Sequence, residues 1–161
     1  MGGFSFFRLG VDRFPKVDLP TIGVATVRGA ARAGLAGIVG EAGRLLGSDT
    51  PTVQRDRVAS VQALQARYGG AVVLKGAGSL IADEQGLSLC PYGNPGMGVG
   101  GMGDVLTGIS AAFLAQGLPL GIAAAAAVTA HACAGDRVAE GGERGLIASD
   151  VINALRIVVN P

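Results

Sequence analysis

The sequence predicts an α/β domain in which helices cover a sheet. Three observations carry this. Ala71–Leu74 is an unbroken apolar run between Gly69-Gly70 and Lys75-Gly76, short enough for a strand and apolar enough to be buried on both faces. Leu80–Ala82 and Leu87–Cys90 flank Asp83-Glu-Gln-Gly86, a turn sequence, and so read as a hairpin. Beyond them six of the eleven residues from Gly93 to Gly103 are glycine, and no Asp, Glu, Lys or Arg occurs from Val105 to Gly135. That pattern is a glycine-rich loop feeding two closely packed, buried helices.

The elements follow in order. Residues 1 to about 35 carry little signal: Phe14–Pro20 is loop-like, and Ile22–Val27 has the composition of a short strand. Pro51 suits a first helical position behind Thr50 as N-cap. Val58, Val61, Leu64 and Tyr68 recur at helical spacing, and Gly69-Gly70 stops that helix. The strand 71–74, a Lys75–Ser79 loop and the hairpin come next. Helices are expected at about 104–116 and 119–139, separated by Gln116-Gly-Leu-Pro119. Gly141–Gly145 is a loop, and Ser149 or Asp150 is expected to cap a final helix ending before Asn160-Pro161.

Composition narrows the function. With 161 residues the chain is one domain or part of one, long enough to bury a core. Its net charge is +1 with no basic block, and it has five Phe, two Tyr and no Trp, which argues against a nucleic-acid partner or a base-stacking surface. Cys90 and Cys133 form no pair motif and read as small apolar residues in a reducing compartment. A single histidine, His131, excludes a poly-His metal site. The 105–135 stretch is long enough for a membrane span. However, it is interrupted at Gly117-Leu-Pro119 and filled mainly by Ala and Gly, as expected of buried helices. The N-terminus lacks an apolar core of signal-peptide length, so the cytoplasm is the expected compartment.

The chemistry concentrates at Asp104, a carboxylate at the junction of the glycine-rich loop and the following helix. Glycines let backbone approach a ligand, and a helix start offers free N–H groups and a positive dipole end. The result is an anion hole with a carboxylate beside it, suited to a phosphate lying next to a hydroxyl that must lose its proton. Asn94, Gly100, Gly101 and Met102 belong to this hole, and Asp104 is the candidate general base; a helix cap is its simpler role. Lys75-Gly76-Ala77-Gly78-Ser79 leaves the C-terminal end of the buried strand, where ligands bind in open α/β sheets, and would form a second wall of a nucleotide pocket. Neither the P-loop nor the G-x-G-x-x-G pattern is present. His131 reads as a packed core histidine, Asn94 equally as a turn former, and Glu143-Arg144 as a solvated loop pair.

Together these residues resemble the dehydratase domain of the NAD(P)H-hydrate repair enzymes, a branch of the ribokinase-like superfamily. Four stretches carry the resemblance: Gly40–Gly47, Val73–Ser79, Gly93–Met97 running into Gly100–Gly108, and Gly145–Asp150. It covers residues 36–161 and leaves 1–35 as an unmatched segment. The resemblance implies a ribokinase-like fold with helices on a mainly parallel sheet, its N-terminal part missing or altered. It implies an ADP-dependent (elsewhere ATP-dependent) lyase that dehydrates hydrated NADH or NADPH, with Mg²⁺ accompanying the nucleotide. Asp104 matches the family's catalytic aspartate; Gly103 and Lys75, Gly76, Ala77, Gly78 and Ser79 match positions that hold the AMP part of the nucleotide. Where the family reads Pro-His-Pro before the matching Gly-Glu, this chain has Gly37-Ile38-Val39, so one substrate contact is lost. A truncated or rearranged copy would expose edges and apolar faces, which favours association, so a homo-oligomer is expected. The alternatives are a ribokinase-like small-molecule kinase and a non-catalytic or partner-dependent nucleotide-binding remnant.

Overall fold

The computed structural model describes residues 39–160. The segment 1–35, the expected strand at 22–27 and the Gly37-Ile38 departure lie outside them. Among the described residues three helices come first: α1 (Val39–Leu46), α2 (Thr50–Arg55) and α3 (Arg57–Tyr68). The hairpin-linked strands β1 (Val72–Leu74), β2 (Ser79–Asp83) and β3 (Gly86–Cys90) follow, then a short 3₁₀ turn at Pro95–Met97. Three more helices close the order: α4 (Met102–Ala115), α5 (Leu120–Ala139) and α6 (Ala148–Val158).

The N-terminal helices depart from expectation in their caps. Asp49, not Thr50, caps α2, its carboxylate accepting the Thr52 N–H at 2.8 Å; Thr50 is already helical. The single helix expected beyond Pro51 is two. Asp56 leaves helical backbone (φ −142°, ψ 83°) and accepts the Ala59 N–H at 2.8 Å, so one carboxylate ends α2 and starts α3. Gly69 ends α3 as expected, with φ +70° and its N–H donated to the Gln65 carbonyl. At the other end α6 begins at Ala148, and Asp150 reaches back from its first turn to accept the Ile147 N–H at 3.0 Å. Neither Ser149 nor Asp150 is therefore the cap residue itself.

The three strands form one sheet in the order β1-β2-β3, both pairs antiparallel. The mainly parallel character implied by resemblance is thus absent from the described strands. The physical reason is the length of the connections: four residues between β1 and β2 and two between β2 and β3 can only reverse the chain. β1 is nevertheless buried on both faces, as its unbroken apolar run predicts, because helices cover each side.

The pleat divides the strands between two cores. Val73 and its partner Ile81, with Cys90, face α4, α5 and α6, where Phe113, Ala127 and Val151 are fully buried. Val72, Leu74, Leu80 and Ala82 face the other way, onto Ala42, Val53, Val61 and Leu64 of α1, α2 and α3. The architecture is therefore helix layer, sheet, helix layer.

The alanine-rich stretch is two helices, as read from sequence. Gly117 takes φ +85° between them, and α5 packs on both α4 and α6. Small side chains permit that close approach. The first turn of α5 lies under the Asp83 carboxylate: a Cβ on Gly121 would collide with it. The same carboxylate accepts the Gln85 and Gly86 N–H groups at 2.8 and 3.0 Å, so it closes the hairpin while placing negative charge at a helix N-terminus. Among the described residues no helix is long and apolar enough to cross a membrane.

Candidate functional site

The glycine-rich loop ends on a glycine used for its backbone. Gly101 is the N-cap of α4 at φ +85°, ψ −14°, and no side chain caps the helix there. The first α-helical hydrogen bond runs from the Val105 N–H to the Gly101 carbonyl at 3.1 Å. The amides of the preceding first-turn residues thus have no intrahelical partner. Asp104 is the third residue of the helix, so its alternative role as the cap itself does not hold. Its exposed carboxylate makes no hydrogen bond to another described residue.

Gly101 also sits close to α6: a Cβ there would lie 3.1 Å from the Ala148 Cβ. We expect Gly101→Ala to destabilise the chain by about 1–2 kcal/mol, from left-handed backbone plus that contact. Chemical denaturation would measure it, and an unchanged midpoint would refute the role of the left-handed cap.

Two sequence motifs meet at this helix start. Lys75, half-buried at the end of β1, brings its Nζ to 4.0 Å from the position a Cβ on Gly103 would take. The lysine loop and the glycine loop therefore form adjoining walls, with a cation beside exposed helical amides. Gly76 and Ala77 are exposed, and Gly78 takes φ +69° against Leu89. Ser79 differs from expectation, being the first residue of β2, paired with Cys90 and not part of a free loop.

His131 belongs to the same neighbourhood. It is buried on α5 with 5% exposure, and its Nε2 has no hydrogen-bond partner. Burial, then the charge of Lys75, push its pKa down to about 4, while the Met102 carbonyl acts in the opposite sense. The packed-histidine reading stands, with a location the sequence did not show: behind the walls of the site.

α5 also positions the Gly93–Met97 segment. The Asp136 carboxylate accepts the Gly93 N–H and the Asn94 side-chain amide, each at 2.9 Å. Asn94 is therefore held by a helix, and its side chain caps no turn. Met97 lies directly over Gly135, where any Cβ would collide with its side chain. The Glu143 backbone crowds Gly96, so the 141–145 loop is packed on the turn. Sequence reasoning missed Asp136; a carboxylate ending the uncharged stretch that runs from Val105 to Gly135 is the signal that was available. Burial raises the thiol pKa of both Cys90 and Cys133, and the Cys90 thiol adds to the rise at Cys133. They are closer in the fold than their sequence separation suggests.

Among the described residues no cluster of three or more His, Cys, Asp or Glu could cage a metal ion. Mg²⁺ carried on nucleotide phosphates keeps several waters and takes few protein ligands.

Solved structures superpose on this fold. The ADP/ATP-dependent NAD(P)H-hydrate dehydratase from Bacillus subtilis, co-crystallized with ATP/Mg²⁺, superposes with a TM-score of 0.72 at 27% identity, over 76% of this chain and 45% of that one. A ribokinase-like superfamily protein from Enterococcus faecalis gives 0.67 at 32% identity, over 76% and 42%. The fold and the glycine-capped helix thus define a ribokinase-like α/β protein. At the level of sequence, a family model for NAD(P)H-hydrate dehydratase matches residues 36–156, and the chain belongs to that family.

Its relatives include the bifunctional NAD(P)H-hydrate repair enzyme of Coxiella burnetii, 55% identical over 124 residues, which cover 76% of this chain and 25% of the relative. The ADP-dependent (S)-NAD(P)H-hydrate dehydratase of Neisseria meningitidis is 41% identical over 123 residues, covering 74% of this chain and 42% of the relative. The chain thus spans a quarter to under half the length of these curated relatives.

Proposed function

We propose that this chain carries the nucleotide-binding and catalytic part of an ADP-dependent (S)-NAD(P)H-hydrate dehydratase, a lyase that returns hydrated NADH or NADPH to the reduced cofactor. The observation that carries this is the approach of Lys75 to Gly103, which joins a cation to unengaged first-turn amides beside the Asp104 carboxylate. In this reading the amides from Gly100 to Asp104, with Met102 and Gly103 in the first turn, hold terminal phosphate oxygens. Lys75 to Ser79 hold the AMP part of the nucleotide. Asn94, fixed by Asp136, orients the loop against the substrate.

Asp104 takes the proton of the ring hydroxyl as that oxygen attacks the terminal phosphorus and AMP departs. Phosphate then leaves with a proton from the neighbouring carbon, restoring the ring double bond. Mg²⁺ carried on the phosphates would supply charge neutralisation there. With ATP the same geometry would release ADP.

The relatives' activities support this reading, as does the similarity to a dehydratase crystallised with ATP/Mg²⁺. We place the chain in the cytoplasm, acting on small molecules without a nucleic-acid partner and as a homo-oligomer. Exposed Ile147, Ile152 and Ile157 at and along α6 support self-association.

The test is recovery of reduced-nicotinamide absorbance when purified chain meets hydrated NADH with and without ADP and Mg²⁺. Recovery only with nucleotide is expected. Phosphate transfer from the nucleotide to some other hydroxyl compound, without recovery, would instead favour a small-molecule kinase.

A further inference from the structure

Arg57, the first residue of α3, comes from the opposite side of the sheet to the glycine-rich loop, yet it ends inside the Lys75–Ser79 loop. Its guanidinium donates to three carbonyls there: Leu74 at 3.2 Å, Ala77 at 2.8 Å and Gly78 at 2.9 Å. Gly76 faces the same group so closely that a Cβ would lie 2.8 Å from Nη2. No carboxylate among the described residues pairs with Arg57, and its Nε is buried without a partner. The side chain is therefore spent on backbone carbonyls alone. A planar fork satisfies three convergent carbonyls in one orientation, which a lysine cannot do.

The Lys75–Ser79 loop is built largely of small residues. Its Gly76 and Ala77 are exposed, Gly76 and Gly78 take positive φ, and glycine backbone samples many conformations when released. The carbonyls that Arg57 gathers flank Lys75 on both sides. Fixing them fixes the direction in which Lys75 leaves β1 toward Gly103.

We infer that Arg57 is a positioning residue for the nucleotide: it shapes the 75–79 loop and aims Lys75 at the start of α4. This rests on the nucleotide reading of the site given above. Arg57 touches neither the reacting atoms nor the Asp104 carboxylate. Its loss acts on nucleotide affinity through loop geometry, and it leaves three loop carbonyls without the donor that gathers them.

The experiment uses the full chain and its Arg57→Ala and Arg57→Lys variants. Titration calorimetry with ADP and Mg²⁺ reads affinity, and amide hydrogen exchange over residues 75–79 without nucleotide reads loop order. Arg57→Ala is expected to weaken ADP about tenfold or more, speed exchange in the loop, and regain affinity when millimolar guanidinium is added. Arg57→Lys, which keeps the charge but not the fork, should fall between and supplies the answer should the alanine variant not fold. A merely structural role would not give rescue by guanidinium at a temperature where the variant is folded.

Unchanged ADP affinity and unchanged exchange in a folded variant would overturn the inference. Absence of ADP binding by the unaltered chain would instead overturn the nucleotide reading. The exchange measurement separates these outcomes, because it tests the loop staple without any ligand.

Discussion

Asp104→Asn is expected to lower turnover of hydrated NADH by about 10²–10⁴-fold while leaving ADP affinity nearly unchanged. The substitution keeps shape and removes only the ability to take a proton. Asp104 makes no hydrogen bond to another described residue, so the exchange frees no partner. Its one structural contribution is a negative charge in the first turn of α4, on the order of 0.5 kcal/mol. The nucleotide, in this scheme, is held by backbone amides and by the Lys75 loop, which the substitution leaves in place. Single-turnover absorbance recovery and ADP calorimetry on the same preparation separate the two effects. Equal losses of turnover and of affinity would remove Asp104 from the role of base and make it a binding residue.

Acid should unfold this chain earlier than its carboxylates alone would require. His131 is buried neutral beside Lys75, with its pKa lowered from about 6.5 to about 4, first by burial and then by the lysine's charge. Above pH 6.5 neither the folded nor the unfolded chain is protonated there. As pH falls from 6.5 toward 4 the unfolded chain takes up the proton and the folded chain does not. Stability is therefore lost across that window and levels off below it. A shift of this size corresponds to about 3 kcal/mol, a large part of the stability of an ordinary domain.

His131→Gln, neutral throughout, should remove that portion of the slope. Urea denaturation of both proteins at several pH values between 7.5 and 4.5 would show it as diverging midpoints. Parallel curves would mean that His131 is protonated normally in the folded chain and that its burial beside Lys75 is not maintained in solution.

Much of the local structure could be read from residue order. The strand at Val72–Leu74, the Asp83–Gly86 hairpin, the helix stop at Gly69 and the break at Gly117 all rest on short-range chemistry: apolar runs, turn carboxylates and glycines able to take positive φ. The glycine-rich loop and Asp104 were visible for the same reason. The caps were less legible, because Asp49, Asp56 and Asp150 compete with neighbouring Thr50 and Ser149 for one backbone position, and a shift of one residue decides which side chain reaches an amide. The antiparallel pairing of β1 with β2 contradicted a double-sided burial pattern that usually marks parallel strands.

What the chain's order alone determined is the set of local conformations and the chemistry offered by each loop: a lysine-bearing turn after a buried strand, and a glycine-capped helix carrying a carboxylate. Which loops meet was decided only by tertiary structure. Arg57 against Leu74, Ala77 and Gly78, Asp136 against Gly93 and Asn94, and Lys75 against Gly103 are contacts between segments far apart in sequence. Such pairs leave no periodicity. They exist because two helical layers bury the alternate faces of one small sheet, and that burial brings the ends of β1, α3, α4 and α5 to the same place.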